Sequence, residues 1–114
     1  MVSGGPMMGF AVWSGDEPVT KGTSALLLLS EKATASYDGA HECIRCGRCV
    51  AACQMRLLPN YIAAYTRLGD YDNAAASGAM SCVECGTCAC VCPAAIPIVQ
   101  YVRMAKSALR TKKA

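Results

Sequence analysis

No stretch of this 114-residue chain is long and apolar enough to cross a bilayer. The longest aliphatic run is Ala25 to Leu29, far short of the ~20 residues a spanning helix needs. The amino terminus, Met1-Val2-Ser3-Gly4-Gly5-Pro6, lacks a basic region followed by a long apolar stretch. It does not read as a secretory leader, so a reducing compartment is the default expectation. Nucleophile–base pairs, paired carboxylates and glycine-rich phosphate loops are all missing. Substrate chemistry on this chain's own residues is therefore not expected.

Cysteine is what the chain has in excess, with nine. In a reducing compartment such a load points to metal rather than to disulfides. The composition changes near residue 36. Residues 1–36 hold no cysteine. Turn signals at Gly4-Gly5-Pro6 and Ser14-Gly15-Asp16-Glu17-Pro18 bracket one short strand, Met8 to Trp13. Ser24 to Ser30, with four consecutive leucines, reads as a buried strand. Two short strands do not make a stable sheet, so 1–36 is expected to be a β/turn remnant of an upstream domain, needing strands from elsewhere.

Residues 37–114 contain an internal repeat with a constant offset of 39. Cys43-Ile44-Arg45-Cys46-Gly47-Arg48-Cys49 aligns with Cys82-Val83-Glu84-Cys85-Gly86-Thr87-Cys88, and Cys53 with Cys92. Such a repeat signals two copies of one unit. Each copy is Cys-x2-Cys-x2-Cys-x3-Cys, and Pro93 follows the second. This is the bacterial ferredoxin-type run for [4Fe–4S] clusters, whose fourth cysteine serves the other cluster. Three cysteines on a tight loop wrap one side of a cubane. The fourth leads away and reaches the neighbour. Cluster 1 is then expected on Cys43, Cys46, Cys49 and Cys92, and cluster 2 on Cys53, Cys82, Cys85 and Cys88. Zinc sites instead use Cys-x2-Cys pairs closed by a distant pair. Gly47 and Gly86 hold the same place in each loop, where glycine takes dihedrals closed to other residues. Ile44 and Val83 are matched apolar residues suited to shielding sulfur.

The ninth cysteine, Cys90, breaks the repeat and reads as a small buried apolar residue. His41 reads as exposed or as a neighbour of the ligands. Arg103, Lys106, Arg110, Lys112 and Lys113 read as a solvated helix face running into a frayed tail. Arg45 and Arg48 flank cluster 1, whereas Glu84 and Thr87 hold the matching places at cluster 2. On charge alone cluster 2 is the harder to reduce. The formal net charge is +3. An oxidised cluster with four thiolates carries −2, so two contribute −4 and turn +3 into −1. The basic balance is no argument for nucleic acid.

Between the two copies, 28 residues read as helix rather than hairpin. Pro59 opens a first helix with Leu58, Ile62 and Tyr65 on one face, ended by Gly69. Asp70 caps a second through Ser77, ended by Gly78. Pro97 opens a last helix with a face of Ile98, Val102, Ala105 and Leu109. The expected fold is mainly α: an α-helical two-[4Fe–4S] ferredoxin domain preceded by a short β-rich segment.

Two strings in this sequence are more specific than the cysteines, Gly4-Gly5-Pro6-Met7-Met8-Gly9 and Leu57-Leu58-Pro59-Asn60. Pro18-Val19-Thr20-Lys21-Gly22-Thr23 and Cys92-Pro93-Ala94-Ala95-Ile96-Pro97 stand with them beside the two motifs. Together they resemble the C subunit of the Rnf-type (Rsx-type) ion-translocating electron transport complex, over nearly the whole chain. The resemblance implies an electron-relay protein, peripheral on the cytoplasmic face of the inner membrane. Its partners would be the other proteins of the complex and a redox protein, with membrane association through those partners. The family's NADH- and flavin-binding region lies upstream of what is present here, so NADH oxidation is not expected of this chain. Gln54 departs from the proline common after the fourth cysteine, without removing a ligand. Two other readings are a cobalamin-reducing protein of a bacterial microcompartment and a free-standing soluble ferredoxin.

Overall fold

The structure is a computed structural model, and it describes residues 1–33 and 39–113. The boundary expected after Ser36 falls outside the described residues. The chain forms two compact units, Met1–Asp38 and Gly39–Ala114. Among the described residues no helix is long and apolar enough to cross a membrane.

The first unit is a three-stranded antiparallel sheet. β1 (Val2–Ser3) lies between β2 (Phe10–Ala11) and β3 (Leu26–Leu27). Val2 pairs with Ala11 and Leu27, and Ser3 with Phe10 and Leu26. The third strand, which the sequence pattern does not announce, is supplied by the amino terminus itself. The hairpin closes through Gly9 N–H donating to the Gly5 carbonyl at 2.7 Å. A Cβ on Gly9 would stand 2.5 Å from Val2 Cγ1 and 2.7 Å from that same carbonyl oxygen. Only glycine fits. The leucine run is not buried as expected: Leu26, Leu28 and Leu29 are exposed and Leu27 is half-buried. Strands of two residues bury little area on their own.

The second unit is helical. α1 (Arg48–Ala51) and α4 (Thr87–Cys90) are single turns, α2 (Pro59–Arg67) and α3 (Tyr71–Ala76) are short, and α5 (Ile98–Lys113) is the longest. The expected boundaries hold because local chemistry sets them. Pro59 sits at the start of α2, where its missing N–H costs nothing. The Asp70 carboxylate accepts the Asn73 backbone N–H at 3.1 Å and caps α3. Gly69 and Gly78 take left-handed φ of +75° and +94° behind α2 and α3.

The core lies where α2, α3 and α5 meet. Ile62, Ile98 and Val102 are its largest fully buried side chains, at 1%, 2% and 1% exposure. Ala63, Ala74, Ala79 and Ala105 fill the spaces between them. Small side chains let the helices approach closely, but they bury little apolar area each.

Gly78 shows how tightly the connection is set. A Cβ there would stand 2.7 Å from Leu57 Cδ2, at a φ that side chains rarely adopt. Gly78→Ala should lower unfolding free energy by about 2 kcal/mol, from left-handed strain and displaced Leu57 together. Urea denaturation of the holo-protein checks this, and an unchanged midpoint would contradict it.

Candidate metal centres

The offset of 39 is visible in the backbone as well as in the sequence. Four pairs of residues with positive φ obey it: Gly39 and Gly78 (96° and 94°), Arg45 and Glu84 (54° and 56°), Gly47 and Gly86 (74° and 85°), Arg56 and Ala95 (54° and 52°). Backbone hydrogen bonds match too. Ala51 N–H to Gly47 O and Cys90 N–H to Gly86 O are both 3.0 Å; Arg56 N–H to Cys53 O and Ala95 N–H to Cys92 O are both 3.1 Å. Left-handed residues between right-handed ones turn successive N–H groups toward one side. Such concavities receive anions, iron–sulfur clusters among them. Holding a non-glycine residue there costs about 1–2 kcal/mol, a strain that concentrates at functional sites.

Each loop runs through its first two cysteines and a left-handed glycine into a one-turn helix carrying the third. The fourth cysteine follows that helix. Two hollows result. One, about 580 Å³ including its open mouth, is lined by Cys43, Cys46, Cys49 and Cys92, with Ala63, Ile96 and Ile98. The other, about 440 Å³, is lined by Cys53, Cys82, Cys85 and Cys88, with Ile62, Val99 and Val102. Each hollow thus takes three cysteines from one copy of the repeat and the fourth from the other. All eight are free thiols.

The donor sets fit a multi-atom cluster. Among the described residues no three Cys, His, Asp or Glu side chains converge closely enough to hold a single metal ion. Each set of four cysteines instead lines a hollow with largely apolar walls. Sulfur hydrogen bonds are in place around the second hollow. Glu84 N–H donates to Cys82 Sγ at 3.3 Å, Leu57 N–H donates to Cys53 Sγ at 3.4 Å, and Thr87 Oγ1 lies 3.4 Å from Cys85 Sγ.

The thiols are not all equally ready to ionise. Burial pushes the Cys88 thiol up to about 11, and burial also raises Cys49. The hydrogen bond from Thr87 lowers Cys85. A ligating sulfur must be thiolate, so binding at Cys88 and Cys49 has to displace protons that their surroundings favour.

Three expectations from the sequence change here. Cys90 is exposed, not buried, and lies with Arg48 and Val91 along an open groove outside both hollows. The one-turn helix α4 turns it away from the core that Cys88 faces. Lys106 is not on a solvated face: it is 9% exposed. The signal was present, since Lys106 stands four and eight residues after Val102 and Ile98, on the apolar stripe of α5. Glu84 is not a bare anion. Lys106 Nζ donates to Glu84 Oε1 at 2.6 Å, and Arg103 Nε donates to Oε2 at 3.0 Å. Two cations oppose that carboxylate, so Glu84 gives no ground for expecting the second site to be the harder to reduce. Lys106, against the penalty of burial and with help from Arg103, holds the Glu84 carboxyl below the ordinary carboxylate range. This contribution to stability is full above the ordinary carboxylate value and is lost as pH falls through the lowered one. His41 is exposed, as expected, and its backbone N–H donates to Ala94 O at 2.9 Å.

Comparison with known proteins bears on these centres. Residues 42–96 match the 4Fe-4S dicluster domain family. Over 110 residues, 96% of this chain, the sequence is 43% identical to the C subunit of the ion-translocating oxidoreductase complex of Erwinia tasmaniensis. It is 41% identical over 111 residues, 97% of this chain, to the protein of the same name from Yersinia enterocolitica. It is 44% identical over 106 residues, 93% of this chain, to the C subunit of the Na(+)-translocating ferredoxin:NAD(+) oxidoreductase complex of Acetobacterium woodii. The matched part spans 14%, 16% and 24% of those three relatives, so the chain corresponds to a minor part of each. The resemblance read from the sequence strings holds at this level of identity.

Proposed function

We propose that this chain, which carries a 4Fe-4S dicluster domain and is related along almost its whole length to the C subunits of ion-translocating oxidoreductases, passes electrons between two [4Fe–4S] clusters within such a membrane-associated complex. The observation that carries this is the pair of hollows, each lined by four cysteines in a three-plus-one arrangement. Cys43, Cys46, Cys49 and Cys92 would hold cluster 1. Cys53, Cys82, Cys85 and Cys88 would hold cluster 2. When bound, such clusters take up and release single electrons.

The chain's own part is to hold, to shield and to tune. α1 and α4 each end between a third and a fourth cysteine, so each one-turn helix links a ligand of one site to a ligand of the other. Ile62, Val99 and Val102 keep water from the second site, and Ala63, Ile96 and Ile98 from the first. Loop N–H groups and the Thr87 hydroxyl stand against sulfur in the second site. The exposed Cys43 and Cys46 make the first site the one nearer water. The partners are the other proteins of such a complex and a redox protein; nucleic acid is not among them. The chain sits peripherally on the cytoplasmic side of the inner membrane, held there by its partners.

Anaerobic reconstitution should give about eight irons and eight acid-labile sulfides per chain, and the native protein should pellet with membranes until salt or detergent releases it. Iron near four, or stoichiometric zinc without visible absorption, would sink the two-cluster reading. Native protein that stays in the soluble fraction would favour a free carrier over a component of a membrane complex.

A further inference from the structure

We propose that Lys106, on the last helix and outside both cysteine motifs, is the positioning residue of the second site's loop and sets the reduction potential of the cluster held there. This rests on the reading of Cys53, Cys82, Cys85 and Cys88 as that cluster's ligands. Lysine is seldom buried unless paired, yet Lys106 is 9% exposed. Its ammonium has two acceptors, both at 2.6 Å: Glu84 Oε1 and the Cys82 carbonyl oxygen. These are the two ends of the Cys82-Val83-Glu84 turn. Arg103, three residues earlier on α5, takes the other carboxylate oxygen of Glu84 at 3.0 Å. The turn is therefore gripped at both ends by one helix.

The grip acts on the ligand sulfur through geometry and through charge. Glu84 sits at φ 56°, and in that conformation its N–H donates to Cys82 Sγ at 3.3 Å. Holding the carboxylate holds that N–H in place. Hydrogen bonds to sulfur favour the more anionic, reduced state. As to charge, one carboxylate against two cations leaves a net positive charge beside a group that becomes more negative on reduction. The side chains of Lys106, Arg103 and Glu84 are only 11%, 17% and 26% exposed, so salt screens them weakly.

The repeat supplies an internal comparison. The residue matching Lys106 in the first copy is Arg67, which pairs with Glu42 at 3.1 Å. Those side chains are 44% and 86% exposed. That pair is a solvated ion pair, whereas the one at the second site is enclosed. Stability alone explains the enclosed group poorly, because apolar residues in place of a buried ion pair often stabilise as well or better.

The test is an EPR-monitored redox titration of the reconstituted full chain, with iron and sulfide measured on each sample. Lys106→Met should lower the reduced-to-oxidised ratio of the second cluster about three- to tenfold at fixed ambient potential; tenfold is about 59 mV for one electron. Lys106→Arg should restore most of that shift. Glu84→Gln should shift the ratio the opposite way, because both cations then stand without an anion. The first cluster should move less than about twofold in every variant. If Lys106→Met fails to retain the second cluster, Lys106→Gln, which keeps a donor and loses the charge, is titrated against the same expectation. A full complement of iron with an unmoved second midpoint overturns the proposal. So do shifts of one sign in Lys106→Met and Glu84→Gln, which report loop distortion rather than charge. Wild-type iron near four per chain would defeat the two-cluster reading itself, and the proposal with it.

Discussion

Replacing Cys53 with serine should empty the site formed by the other copy's loop. Iron should fall from about eight to about four per chain, and the cluster that survives should be the one on Cys43, Cys46 and Cys49. Cys53 belongs to the first motif by sequence, but its sulfur lies in the hollow with Cys82, Cys85 and Cys88. The reciprocal change, Cys92→Ser, should spare the second site and empty the first, whose hollow Cys92 lines. In both variants the reduced protein should lose the spin–spin coupling expected of two neighbouring clusters. Cys90→Ala should change neither iron content nor the EPR spectrum, because Cys90 is exposed and lines neither hollow. Should Cys53→Ser instead lose the cluster on Cys43, Cys46 and Cys49, the three-plus-one assignment is wrong.

Removing the iron should cost the helical unit its cooperative fold. Its buried apolar side chains are mostly small, with Ile62, Ile98 and Val102 the largest that are fully enclosed. A core of that kind leaves a small domain with only a few kcal/mol in hand. Arg45, Arg56, Glu84 and Ala95 all sit at positive φ. At about 1–2 kcal/mol each, these four positions together cost about 4–8 kcal/mol. That is comparable to the whole stability of a typical domain, about 5–15 kcal/mol. Ligation holds the loops against this strain, and without it the two apolar hollows must either collapse or fill with water. Chelation under reducing conditions should therefore abolish the sigmoidal urea transition and leave residual helix in α2 and α5 by far-UV circular dichroism. An apo-protein that unfolds cooperatively at the holo-protein's midpoint would show that the helices alone carry the fold.

Much of this unit was legible in the sequence because its signals are local. A left-handed turn needs glycine, as at Gly47 and Gly86. A helix start wants proline or a capping carboxylate, as at Pro59 and Asp70. A cubane needs sulfurs at a spacing the chain can wrap. The repeat at 39 residues carried all of these twice, and the apolar stripe Ile98, Val102, Ala105 and Leu109 placed the last helix. None of these inferences depends on what lies across from the residue in space.

The expectations that changed all depend on that. Val2 and Ser3 carry no strand signal, and become the central strand only because two other segments flank them. The leucine run is apolar enough to be buried, but burial depends on what packs over it, and two-residue strands offer little area for that. Cys90 looks like core by residue type, yet a one-turn helix carries Cys88 inward and Cys90 outward. Lys106 and Glu84 stand 22 residues apart in sequence, and no spacing rule links a helix lysine to a loop carboxylate. The sequence by itself determined which residues can bind, turn and pack, since those properties belong to each side chain and its near neighbours. The tertiary structure alone decided which charges are enclosed and which apolar side chains and thiols are exposed, because desolvation is a property of what surrounds a residue and not of the residue.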